Sequence, residues 1–379
     1  MLKILFFILV VTLSLTFGAR NARAIEDPLS LPNNKFGVHI LFTSELEKAR
    51  ELVNSNSGDW GYVTIPIQAK DKDLEKWQKF MDNAGRLHLI PIIRIATENH
   101  YFNTTVWRKP QYDDVLDFAN FLNSLDWPVK NRYIIIFNEV NRADEWEGNP
   151  DPQEYARALN YAVNVFKSIN EDFFIISAGL DNASANDQYS YMIQMDQEVP
   201  GIFGKINGLG SHSYPNPGFS VAPWIVTRKS ISSFKFEQDL AFELSGKNLP
   251  LFITETGWSR ERISENQIAS YFTYAFKNVW LDQNIVAVTP FLLSAGVGPF
   301  LQFTLLNENG DFNEVSAAMQ KIPKTKGNPT INIQPSYFKR NAGNIPIKTF
   351  SKQVQYETST ALRAKAITPF FKWLLKLSI

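Results

Sequence analysis

The sequence predicts an α/β protein, a (β/α)8 TIM barrel with a short basic C-terminal extension. Three observations lead there. Eight apolar, β-branched runs alternate with amphipathic stretches of helical period. The alternation spans about 290 residues, the size of one such barrel. No glycine-rich GxGxxG loop follows the first run, as a dinucleotide-binding open sheet would require.

In chain order, Lys3, the apolar run Ile4–Phe17 and Ala22-Arg23-Ala24 read as an export signal over residues 1–24, and the run is too short to span a membrane comfortably. The first strand candidate, Phe36–Leu41, precedes Ser44 and Glu47, spaced as a capping box for a helix over Leu46–Val53. Tyr62–Ile67 and Leu87–Ile95 are the next two strands. The second of them carries Arg94 within LIPIIRIAT, a charge that burial penalises unless it is paired. After a helix over Asp113–Leu125 comes Tyr133–Phe137, apolar enough to be buried on both faces, ending at Asn138-Glu139. Asp151, Pro152 and Glu154 open a helix through Phe166 with a cap, a first-turn proline and an early acid. Strands Phe173–Ala178 and Ile206–Ser211 precede Leu249–Thr254, which delivers Glu255. A helix over Ser264–Leu281 and a last strand, Ile285–Leu293, complete the set. Lys321–Pro329, KIPKTKGNP, reads as a linker. The expected domains are therefore the signal 1–24, the barrel 25–320, and a basic linker and tail 321–379.

Composition narrows the function. The 379 residues include no cysteine, so there is no disulfide framework, thiol nucleophile or thiolate metal site. The four histidines, His39, His88, His100 and His212, form no HxH or HExxH spacing, which speaks against a histidine-rich metal site. The net charge of zero divides unevenly. Residues 321–379 hold 11 basic residues against the single acid Glu357, whereas residues 25–320 hold 24 basic and 37 acidic. The segment Ala361–Ile379 combines apolar residues with Arg363, Lys365, Lys372 and Lys376. It fits either a membrane-surface segment or a last helix packed on the barrel.

Two glutamates, Glu139 and Glu255, end the fourth and seventh strand candidates. In a closed barrel those ends share one mouth, where chemistry is assembled. Paired carboxyl groups flanking one bond suit glycoside hydrolysis, where one donates a proton to the leaving oxygen and the other attacks or stabilises the sugar cation. The order and strand placement of Asn138-Glu139 and Glu255 resemble the retaining (β/α)8-barrel glycoside hydrolases of clan A, over roughly residues 36 to 313. The resemblance implies Glu139 as acid/base, Glu255 as nucleophile, and Asn138 as partner of the sugar hydroxyl beside the reacting carbon. His212 and Tyr214, in GSHSYPNP, match polar and aromatic positions of that clan after the sixth strand. Tyr214 is expected to orient the Glu255 carboxylate, and Arg94 to supply its positive partner, with Glu139 in a less cationic setting. Trp258, three residues past Glu255, is expected to offer a face for a sugar ring. Trp107, Trp146 and Trp224 also fall in loops on the mouth side.

One departure stands out: the clan places a tryptophan at the end of the eighth strand. Here VAVTPFLLSAGVGPFLQF leaves Phe291, Phe300 or Phe303 to stand in. A catalytically inactive carbohydrate-binding barrel is therefore the alternative reading. The expected partner is an oligo- or polysaccharide, with an anionic membrane or envelope surface for the C-terminal segment. No nucleic acid, metal or cofactor is expected, and the protein is expected to be exported.

Overall fold

The computed structural model describes residues 25–97, 106–296 and 298–332. The expected signal 1–24 and the segment Ala361–Ile379 lie outside the described residues. All eight expected strands form: β1 (Gly37–His39), β2 (Gly61–Gln68), β3 (Leu89–Ala96), β4 (Arg132–Ile136), β5 (Phe173–Ser177), β6 (Leu209–His212), β7 (Leu251–Glu255) and β8 (Ile285–Val288). Every pairing between neighbours is parallel.

The ladders form two arcs, β1 to β5 and β6 to β8. Parallel bridges close the ring at two seams, Ile176 with Gly208 and Asp181 with His212 at one, and Phe36 with Val288 at the other. The first seam also carries Ser177 N–H to the Gly208 carbonyl at 3.3 Å. A Cβ on Gly210 would collide with the Ser177 carbonyl, so close approach of β5 and β6 requires glycine there.

The double-sided burial read from YIII has a simple origin. Tyr133 and Ile135 join Tyr62, Ile92, Phe174 and Phe252 inside the barrel. Ile134 and Ile136 join the layer between strands and helices. The helices α1 (Leu46–Val53), α2 (Leu74–Arg86), α3 (Tyr112–Asn123), α4 (Pro152–Ile169), α5 (Gln188–Glu198), α6 (Ser233–Ser245), α7 (Glu265–Tyr274) and α8 (Glu314–Lys321) cover that layer. Asp151 caps α4 as expected, accepting from the Gln153 and Glu154 N–H groups at 2.9 Å. The expected Ser44–Glu47 capping box does not form. A 3-10 turn, Thr43–Glu45, leads into α1 instead, and Glu45 accepts from the Leu41 and Phe42 N–H groups at 2.8 Å.

The stretch read as a linker is strapped to the underside of the barrel. Gly327 N–H donates to the Asp59 carbonyl and Asn328 N–H to that of Pro32, and Lys130 N–H donates to Thr330. These bonds tie the chain to the barrel as far as Thr330. Among the described residues, no helix is long and apolar enough to cross a membrane.

Candidate active site

Above the strand ends lies a cleft of about 450 Å³, lined by residues that follow β3, β4, β6, β7 and β8. Glu255 ends β7 and Glu139 lies three residues beyond β4. Phe137 and Glu139 both have left-handed backbone, with φ of 69° and 33°. Such conformations cost a residue with a side chain about 1–3 kcal/mol and collect at working sites. They turn the chain sharply, and Glu139 N–H donates to the Gly179 carbonyl at 3.1 Å. An oxygen of Glu139 and one of Glu255 lie within 4.8 Å of each other and of a ring nitrogen of His212.

Each carboxylate has its own partners. Arg94, on the inward parity of β3, donates from Nη1 to Glu255 Oε1 at 2.7 Å, and the same nitrogen donates to Asn138 Oδ1. The Tyr214 hydroxyl donates to Glu255 Oε2 at 3.1 Å. Burial, and then the charges of Glu255 and Glu139, push that hydroxyl well above its ordinary pKa, so it remains a donor. His212 Nδ1 lies 2.9 Å from Glu139 Oε1. Burial alone would lower its pKa, but the charge of Glu255 and the bond and charge of Glu139 outweigh burial and raise it. The structure thus brings Glu139, Glu255, Asn138, Arg94, His212 and Tyr214 together. The expected contrast in surroundings is weaker than anticipated, because Arg142 Nε lies 3.5 Å from Glu139 Oε2.

Trp258 departs from expectation. It is 2% exposed, inside the strand–helix layer, edge-on to Phe272 and tilted against Trp280, and its Nε1 donates to the Val221 carbonyl at 2.8 Å. Its apolar area is consumed by packing against α7, so it is a core residue and offers no face to a sugar. Trp224 lies on the surface, edge-on to Tyr271 and Tyr274. Trp107 and Trp146 do line the cleft. Phe291, Phe300 and Phe303, the residues left to stand in for the tryptophan, line it too and pack with Tyr214.

Several residues of the site escaped sequence reasoning. His39 ends β1 with Nε2 3.6 Å from Glu255 Oε1. Burial, then the charges of Arg94 and His212, hold its pKa well below normal, so the ring is neutral. Arg142 is clasped by Asp144 at 2.8 Å and Asp181 at 3.1 Å. Glu145 accepts from Asn138 Nδ2 at 3.0 Å. A histidine closing the FGVHI run was a signal available for His39, whereas RADEWEG has several acids and nothing to choose among them.

No family model matches the chain, and no curated protein matches it in sequence. Comparison with solved structures decides the fold. A family 39 glycoside hydrolase from the gut symbiont Bacteroides cellulosilyticus superposes with a TM-score of 0.56 at 16% identity, over 78% of this chain and 64% of that one. An endoglucanase from the hyperthermophile Thermotoga maritima gives 0.55 at 15%, over 78% of this chain and 100% of that one. The chain has the fold of barrel glycoside hydrolases. A family 5, subfamily 18 enzyme from Streptomyces cattleya, solved with Manβ1-4GlcNAc, gives 0.55 at 13%, over 77% of this chain and 80% of that one. The chain spans just under two thirds of the length of the family 39 protein.

Proposed function

We propose that the protein is an exported retaining β-glycoside hydrolase. The observation that carries this reading is that one oxygen of Glu139 lies within 4.8 Å of one oxygen of Glu255, with Glu255 held on both oxygens by Arg94 and Tyr214. Retaining enzymes hold their carboxyl groups about 5–5.5 Å apart, whereas inverting enzymes need about 6.5–9.5 Å to admit a water. The likeness to barrel glycoside hydrolases supports the same chemistry, and the Manβ1-4GlcNAc bound to one of them supports an oligosaccharide substrate. Export rests on the basic, apolar character of residues 1–24.

In the first step Glu139 gives its proton to the glycosidic oxygen as that bond breaks, and a Glu255 oxygen bonds to the anomeric carbon from the opposite face. In the second, Glu139 takes a proton from water, whose oxygen displaces Glu255 and restores the original configuration. The sugars beside the reacting bond are uncharged in this reading. The guanidinium groups of the cleft, Arg94, Arg108 and Arg142, are each engaged by carboxylates. Asp144 and Asp181 would repel a uronate.

The test is covalent trapping. A 2-fluoro β-glycoside of a neutral sugar should add one sugar mass to the peptide containing Glu255, leave Glu255→Gln protein unlabelled, and accompany turnover with retained configuration by NMR. Inverted product, or label on another carboxylate, would refute the mechanism. Sugar binding without turnover or label would favour an inactive carbohydrate-binding barrel.

A further inference from the structure

Asn138 is gripped at both ends. Its Oδ1 accepts from Arg94 and its Nδ2 donates to Glu145 at 3.0 Å. Arginine only donates, so Arg94 fixes the orientation of the amide, which turns its N–H to a Glu145 oxygen. A flipped amide would set N–H against N–H at the Arg94 end. A primary amide has two N–H groups and two lone pairs. After these two bonds one of each remains, and Asn138 lines the same cleft as the two glutamates.

We propose that Glu145 is a positioning residue, which locks the Asn138 amide for the sugar hydroxyl beside the reacting carbon. The proposal rests on the glycosidase reading for what Asn138 meets. It rests on the geometry for what Glu145 does.

The segment carrying Glu145 is braced as such a role requires. Trp107 N–H donates to the Asp144 carbonyl at 2.7 Å, and Glu147 N–H returns a bond of 2.7 Å to the Trp107 carbonyl. Trp146, the next residue, is buried edge-on against Phe137 and Tyr155. Glu145 therefore sits between two fixed points and has little freedom to swing. Its protonation fits the same role. Burial, and then the charge of Glu139, push its carboxyl up to about 8. Near neutrality it is thus mostly an uncharged acid that accepts from Asn138 without adding a negative charge beside Glu139. A glutamine would present the same carbonyl oxygen.

The experiment compares Glu145→Ala and Glu145→Gln with wild type on an aryl β-glycoside and on its 2-deoxy analogue, and adds a crystal structure of the Ala variant. Misplacement of one contact commonly costs on the order of 10–100-fold. That loss in kcat/KM is expected for E145A on the full sugar, against about 3-fold or less on the 2-deoxy sugar, where Asn138 has nothing to meet. E145Q should stay within about 3-fold of wild type on both substrates. In E145A crystals the Asn138 amide should be rotated or split between orientations. Equal losses on both sugars, or an unmoved Asn138, would overturn the proposal. If wild type cleaves no β-glycoside the glycosidase reading fails, and the Asn138 rotamer alone then decides whether Glu145 positions it.

Discussion

Replacing Arg94 with methionine probes the charge balance of the site. Arg94 is 5% exposed and Glu255 7%, with 2.7 Å between Nη1 and Oε1. Removing one partner of a buried pair strands the other, at a cost of about 3–5 kcal/mol. Glu255 would retain the Tyr214 hydroxyl at 3.1 Å, with His39 Nε2 at 3.6 Å and His212 Nδ1 at 3.8 Å. For a domain of this size that corresponds to a fall in Tm of about 5–10 °C. Urea unfolding of R94M, E255Q and the double variant forms a cycle that isolates the pair. E255Q removes the charge that R94M would strand, so the double variant should be more stable than the sum of the single losses by about 2 kcal/mol or more. R94M within about 1 kcal/mol of wild type, or losses that simply add in the double variant, would show that the pair is not coupled as the geometry requires.

Gly179→Ala tests the seat of His212. A Cβ there would lie 2.6 Å from His212 Nε2, so the imidazole must shift from Glu139. We expect kcat/KM to fall by about 10-fold or more, with a displaced limb in its pH profile. A loss with an unchanged profile would mean that Gly179 serves only the backbone. The pH dependence of stability tests the buried acids. Glu145 is pushed up to about 8 and Glu237 up to about 7, both by burial first, from an ordinary value of 4.5. The native state therefore holds protons that the unfolded chain has released, and stability declines as pH rises from about 4.5 to about 8. E145Q lacks one of these groups, so urea unfolding at pH 5, 7 and 9 should show it gaining on wild type up to pH 8. A wild type that gains on E145Q over that range would contradict the raised value.

The barrel was legible because each strand run is buried on both faces and each helix on one, which writes two periods into the sequence. The meeting of Glu139 and Glu255 was legible because both end buried runs, the fourth and seventh, and the ends of barrel strands share one mouth. Loop side chains were not. The left-handed turns at Phe137 and Glu139 decide where Arg142, Asp144 and Glu145 point, and nothing local in FNEVNRADEWEG marks those residues for positive φ. Trp258 failed for a related reason. Position three residues past a strand end does not say which side of the strand a ring will face, and this one turned into the core.

The two seams of the barrel bear on its chemistry in another way. Glu139 follows a strand of the five-stranded arc and Glu255 ends one of the three-stranded arc, so their separation is set across the seams between the arcs. The gap between the retaining and inverting ranges is about 1 Å, less than a third of the rise of one strand residue. In the proposed reaction, a small shift along the seam where Ser177 meets Gly208 would therefore bear on which face of the sugar the water attacks. Under the proposed mechanism, stereochemical outcome then depends on how the two arcs meet, with every proposed reacting residue unchanged.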